Sequence, residues 1–156
     1  MHECIKADIK NKVKMKAIIR ISGLNAIRRE DSETLDRLRL RKKFTCAVLR
    51  NKPEVLGMIK KVRNYTAYGD IDKETLAKII EKRGKKVDKA KKTEKADKIA
   101  EEMFSGKIEK KFEDFNIKPY FPLHPPRKGI KSKLHYPKGV LGDHGDKIKL
   151  LIERML

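Results

Sequence analysis

Between residues 37 and 43 the chain reads Arg-Leu-Arg-Leu-Arg-Lys-Lys, five cations in seven positions with no acid among them. Guanidinium groups bond phosphate oxygens in pairs, and ammonium groups add compact positive charge. The chemistry open to such a run is to hold a polyanion backbone: Arg37, Arg39 and Arg41 by paired hydrogen bonds, Lys42 and Lys43 by charge. Arg37 and Arg41, four apart, are expected to share one helix face. A solvated face is the competing reading of any basic run, and the shortage of local acids weighs against it here. A second candidate is the segment 121–138. There His124, Arg127, Lys128, Lys131, Lys133 and Tyr136 are interleaved with Phe121 and His135 and held open by Pro122, Pro125 and Pro126. Aromatic and imidazole rings stack on unpaired bases while neighbouring lysines meet phosphates. Lys60, Lys61 and Arg63 complete the candidate set.

Other chemistries find little support. His124, His135 and His144 with Asp143 and Asp146 lack metal-ligand spacings such as HxxxH or HExxH. Gly139, Gly142 and Gly145 do not form GxGxxG, and there is neither a Gly-Lys-Ser/Thr phosphate loop nor a GxSxG elbow. No catalytic residue, metal, cofactor or small-molecule substrate is expected. Over all 156 residues, 41 Lys and Arg face 22 Asp and Glu, a formal net charge of +19. A compact domain so charged repels itself unless a polyanion offsets the charge. Nucleic acid and anionic membrane are the polyanions large enough. The longest clean apolar run, 46–49, falls far short of the roughly 20 residues a spanning helix needs, and no apolar stretch marks a secretory signal. Cys4 and Cys46 have no CxxC pairing, and Cys46 reads as a small core residue. Nucleic acid is the expected partner and the cytosol the expected compartment.

The elements that must position these residues follow from periodicity. Met15, Ala17, Ile19 and Ile21 alternate with Lys16, Ile18, Arg20 and Ser22, the period of a strand. Asp31 or Ser32 offers a cap for a helix with Leu35 and Leu38 on its apolar stripe, ending near Leu40. A second strand over 44–50 is followed by Pro53 at the first position of a helix burying Val55, Met58, Ile59 and Val62. Gly57 costs that helix about 1 kcal/mol against Ala, which points to a close approach by another backbone or by RNA. A third strand over 66–71 leads to a helix capped by Asp72, carrying Leu76, Ile79 and Ile80 and stopped by Gly84. The expected core is α+β: a three-stranded sheet with packed helices.

Beyond Gly84 the composition changes. Residues 85–98 hold seven lysines and three acids. A short helix follows with Ala96, Ile99, Ala100 and Met103 on one face and Thr93 as cap. After the proline-rich segment comes a final helix with Ile148, Leu151, Ile152 and Met155, expected to dock on the body. The expected division is a basic arm at 1–12, a core at 13–84, and a basic extension at 85–156 docked on that core.

Two stretches carry a family resemblance. Glu33-Thr34-Leu35-Asp36-Arg37-Leu38-Arg39-Leu40-Arg41 resembles the TL-x-x-LRL signature of the large-subunit ribosomal proteins numbered thirty in the universal nomenclature. Pro53 to Val62, with Gly57-Met58-Ile59, and then Tyr68-Gly69-Asp70-Ile71, resemble that family's P-x-x-x-GM-I-x-x-V and Y-G-x-I segments. The tail, with Leu123-His124-Pro125-Pro126-Arg127-Lys128-Gly129 and Gly142-Asp143-His144-Gly145-Asp146, looks like the extended archaeal and eukaryotic form. The resemblance implies a ferredoxin-like split β-α-β core and a structural, non-enzymatic role, with large-subunit ribosomal RNA and neighbouring ribosomal proteins as partners. It makes Arg37, Arg39 and Arg41 RNA-facing, puts Leu35, Leu38, Leu40 and Met58 in the core, and sets Gly57 at a close approach. The alternative is a free-standing RNA- or DNA-binding protein of RNA processing or chromatin, which charge alone does not separate.

Overall fold

The computed structural model describes residues 15–23, 25, 27–88, 95–105 and 111–156. The arm at 1–12, Cys4, Thr93 and part of the lysine-rich run lie outside them. Three six-residue strands form the centre of the sheet: β1 (Met15–Arg20), β2 (Thr45–Arg50) and β3 (Thr66–Ile71). The helix α1 (Arg29–Arg37) joins β1 to β2, and α2 (Pro53–Lys61) joins β2 to β3. Then come α3 (Lys73–Arg83), α4 (Ala96–Ser105) and α5 (Ile148–Met155). Two-residue strands β4 (Phe121–Pro122) and β5 (Gly142–Asp143) extend the sheet.

The sheet therefore has five strands, in the order β4-β2-β1-β3-β5, where three were expected. β1 pairs antiparallel with both β2 and β3, Met15 lying opposite Arg50 on one side and Ile71 on the other. β4 adds antiparallel to β2, and β5 adds parallel to β3. A two-residue strand has no period, so neither edge is visible in the hydrophobic pattern. Each exists because the chain is carried back to the sheet by its neighbours.

The alternation in β1 sorts the core into two layers. Met15, Ala17, Ile19 and Ile21 join a large cluster with Leu76, Ile79, Ile99, Met103, Phe112, Phe121, Ile148 and Ile152. Ile18 joins a smaller cluster on the other face with Leu35, Leu38, Leu40, Ala47, Ile59 and Val62. Thus α1 and α2 cover one face, while α3, α4 and α5 cover the other. Leu35, Leu38 and Leu40 are each at most 1% exposed, and Met58 packs half-buried beside them, as the signature implied. The final helix docks by Ile148, Leu151, Ile152 and Met155, all buried.

Two glycines play opposite parts. At Gly69 in β3 a Cβ would collide with the Gly145 carbonyl oxygen and the Ile148 side chain, so the bare backbone lets the turn before α5 close on the sheet. At Gly57 the space where a Cβ would stand is open to 4 Å. The expected approach of another protein segment is not seen there among the described residues.

Candidate nucleic-acid interface

The first helix begins and ends earlier than its sequence suggested. Its cap position is Arg28 rather than Asp31 or Ser32, and it stops at Arg37 instead of Leu40. Three residues turn the chain sharply. Arg39 takes a left-handed backbone (φ 61°), while the Leu40 amide donates to the Leu35 carbonyl at 2.8 Å and the Arg39 amide to Asp36 at 2.9 Å. That closure satisfies helix-end carbonyls in the way a terminal glycine usually allows. In the left-handed region an L-residue costs roughly 1–2 kcal/mol, so this turn must be held from elsewhere.

Arg20 holds it. Its side chain is 1% exposed, the largest fully buried side chain among the described residues. Nη1 donates to the carbonyls of Leu40 (2.8 Å) and Arg41 (2.9 Å), Nε to Ser22 (3.1 Å) and Nη2 to Gly23 (3.0 Å). One buried guanidinium thus ties the cationic turn to the strand beneath it. Burial lowers the Arg20 pKa and the nearby Asp36 carboxylate offsets part of that, yet an arginine remains charged in proteins. Sequence reasoning passed over Arg20 as one polar position of an alternating strand. The available signal was an arginine set between Ile19 and Ile21 in a strand with apolar residues on both faces.

The turn does not keep Arg37 and Arg41 on one helix face, because Arg41 lies past the helix end. It gathers them in another way. Arg37, Arg39, Arg41, Lys42 and Lys43, with Lys85, line one open groove of about 680 Å³, bounded by Tyr120 and Pro122 and containing one acid, Asp36. Two of the arginines have more acid nearby than the sequence implied. Arg39 Nη1 meets Glu113 Oε1 at 2.7 Å, and Arg41 Nε lies 3.9 Å from Asp36 Oδ1. These pairs are about half-exposed or more, where an ion pair is worth roughly 0–1 kcal/mol. They orient the arginines without cancelling the groove's charge. Lys43 Nζ stands 4.7 Å from the Phe44 ring centre.

The other candidates fall elsewhere. Lys60, Lys61 and Arg63 are exposed at and beyond the end of α2 and do not line the groove; Lys61 pairs with Glu30 at 3.5 Å. Lys128 and Lys131 line a separate recess of about 400 Å³ with Lys138 and Arg154, with no acid among its lining residues. His124, Arg127 and Lys133 are exposed outside both, and Tyr136 is tilted against His144 with ring centres 4.6 Å apart. Of the rings expected to stack on unpaired bases, Phe121 is given to the core instead. Phe121 is fully buried and meets Phe112 edge-on at 5.5 Å. Backbone bonds run from the Leu123 amide to Phe44, from His124 to Met155 and from Arg127 to Arg154. Arg154 also donates to the carbonyls of Arg127 and Gly129. Among the described residues, no group of three or more His, Cys, Asp or Glu side chains is placed to hold a metal ion.

The geometry is that of a small α+β protein with six cations gathered along one open groove. Residues 16–66 match the model of the ribosomal protein L30p/L7e family. The chain is also similar along most of its length to proteins named large ribosomal subunit protein uL30. It is 40% identical over 153 residues to that of Archaeoglobus fulgidus, covering 90% of this chain and 99% of the relative. The match to that of Pyrobaculum aerophilum is 40% over 165 residues, covering 90% and 93%. With that of Methanococcus vannielii it is 36% over 153 residues, covering 90% and 98%. The chain belongs to this family of ribosomal proteins.

Proposed function

We propose that this protein is a structural constituent of the large ribosomal subunit, bound to ribosomal RNA and neighbouring ribosomal proteins in the cytoplasm, with no catalytic role. The observation that carries the reading is the groove in which six cations face one acid. Phosphates along an RNA strand match that groove, and releasing their counterions supplies the affinity. Arg37, Arg39, Arg41, Lys42 and Lys43 are the contacts this reading assigns first. Lys128 and Lys131 come next, with Arg127, Lys133, His124 and Tyr136 at the margin of their recess. Lys60, Lys61 and Arg63 extend the basic face along α2, and the open side of Gly57 leaves room there for an RNA backbone.

The finer description of the core as a ferredoxin-like split β-α-β belongs to the same proposal. Helices on an antiparallel sheet support it, while the two added edge strands depart from the simple form. So does the division into an arm at 1–12, a core at 13–84 and a docked extension at 85–156. Residues on both sides of position 84 share the large cluster, which favours docking. Cosedimentation tests the function: the chain should travel with the large subunit in moderate salt. A chain that instead follows DNA, leaving large subunits bare, sinks the reading.

A further inference from the structure

One aromatic ring lines the cationic groove. Tyr120 stands on its wall with Pro122, amid the six cations. Its placement follows from alternation along extended chain, where successive side chains point to opposite sides. Phe121, in β4, is fully buried in the large cluster. Its neighbours Tyr120 and Pro122 are turned the other way, and both are half-buried on the groove wall. The backbone that carries the ring is fixed at both ends. The Lys118 amide donates to the Lys85 carbonyl at 2.8 Å, and the Leu123 amide to that of Phe44 at 2.9 Å. The ring itself is left over. Of the chain's four tyrosines, Tyr65 and Tyr68 pack against the smaller cluster and Tyr136 against His144. Tyr120 joins neither cluster, and among the described residues it has no ring partner and no hydrogen bond from its hydroxyl.

We propose that Tyr120 is a stacking platform for one unpaired base of the RNA strand whose phosphates lie in the groove. The inference rests on the ribosomal RNA reading above and adds the form of the RNA, a strand unpaired at this point. Paired and unpaired RNA carry the same phosphate charge, so the cations do not choose between them. The ring does. In a duplex the flat faces of the bases are covered by their neighbours, whereas an unpaired base can be splayed out and stacked on an aromatic side chain. Each base is joined through its sugar to the phosphates on either side of it. A ring set among phosphate-binding side chains is therefore within reach of a base whose phosphates they hold. Because the backbone around Tyr120 is already fixed, little ordering is left to oppose binding.

The test measures binding of the full chain to single-stranded polyuridylate and to the polyadenylate–polyuridylate duplex, for the unaltered chain, Tyr120→Phe and Tyr120→Leu. Phe keeps a ring without the hydroxyl, and Leu keeps apolar bulk without the ring. Single-strand affinity should be held by Tyr120→Phe and fall about tenfold in Tyr120→Leu, within the range that stacking one base supplies. The salt slope should stay unchanged, since no phosphate contact is lost, and duplex affinity should be the same for all three. Equal loss in both variants assigns the contact to the hydroxyl and overturns the platform. A Tyr120→Leu chain that binds both RNAs normally, or loses both alike, overturns it too. A second measurement needs no variant: single-stranded RNA carrying iodouridine, irradiated on the unaltered chain, should crosslink to Tyr120. Crosslinks that all fall elsewhere overturn the platform. If the platform fails while the chain still cosediments with the large subunit, the ribosomal reading stands. An unaltered chain that binds neither RNA and does not cosediment takes both down.

Discussion

The turn at 37–43 and the segment at 121–138 are alike in sequence terms, both short, basic and without acids. They are fixed by opposite means. The turn is held from beneath by a buried cation, Arg20, whose four hydrogen bonds end on carbonyls. The segment is held by apolar residues, Phe121 and Leu123, and by backbone bonds to α5. The first arrangement leaves every cation of the turn outside and gathers five of them in one groove. The second spends Phe121 on the core and spreads its cations over the surface. Charge density in a sequence therefore does not show how its cations are disposed. Both backbones are anchored without using the charges between them, and only the turn then brings five of its cations into one groove.

The sharpest test of the turn is salt. If phosphate contacts dominate, with six to ten phosphates neutralised, affinity for the RNA site should fall by about 10³–10⁵ between roughly 50 and 200 mM salt. Equilibrium binding across that range checks it, and a flat curve would remove the reason for singling out the groove. The segment is tested next. Phe121→Ala should cost about 3–5 kcal/mol, as large core truncations do, in thermal or urea unfolding. The amides of Leu123, His124 and Arg127 should resist hydrogen exchange in the protein without RNA. Rapid exchange there would break the contrast and make the segment a loop ordered by its partner.

Smaller effects separate anchor from contact within the turn. Leu38→Ala should cost about 2–5 kcal/mol. Arg20→Ala leaves carbonyls unpaired at about 1–3 kcal/mol for each that stays buried, and should lower RNA affinity as well. Arg37→Ala and Arg41→Ala should each change stability by no more than about 0.5 kcal/mol, while the pair lowers the salt slope by about 2. If the exposed pair unfolds the protein and Arg20 does not, anchor and contact are exchanged. The mildest effect is one of pH. Burial pushes the Cys46 thiol from 9.0 up to about 12, a backbone hydrogen bond at Ile18 acting the other way. Between those values the folded chain holds a proton that the unfolded chain has lost. Stability should therefore fall as pH rises through that window, and less steeply in Cys46→Ala.

Much of this was legible in the residues. The order of strands and helices up to Gly84 follows from apolar spacing, and the partition of β1 between two clusters follows from its alternation. The end of α1 was not legible, because Arg39 adopts a backbone that sequence reading reserves for glycine. The edge strands were hidden by their length, and the anchoring of 121–138 by the distance in sequence to Phe44 and α5. For the candidate site, residue types pointed to 37–43, but the partners of Arg39 and the role of Arg20 depend on residues up to 74 positions away. Such pairings leave no local pattern.

The two clusters differ in one further respect, which bears on how the chain is made. Every buried member of the smaller cluster lies between Ile18 and Val62. The larger one draws on Met15 at one extreme and Met155 at the other. During synthesis from the amino end, the layer beneath the cationic turn can assemble from the first stretch to emerge. The opposite layer must wait for the last helix. The layer that carries the cationic turn is thus the one that demands least of the chain, although Lys85, Tyr120 and Pro122 must arrive before the groove is complete.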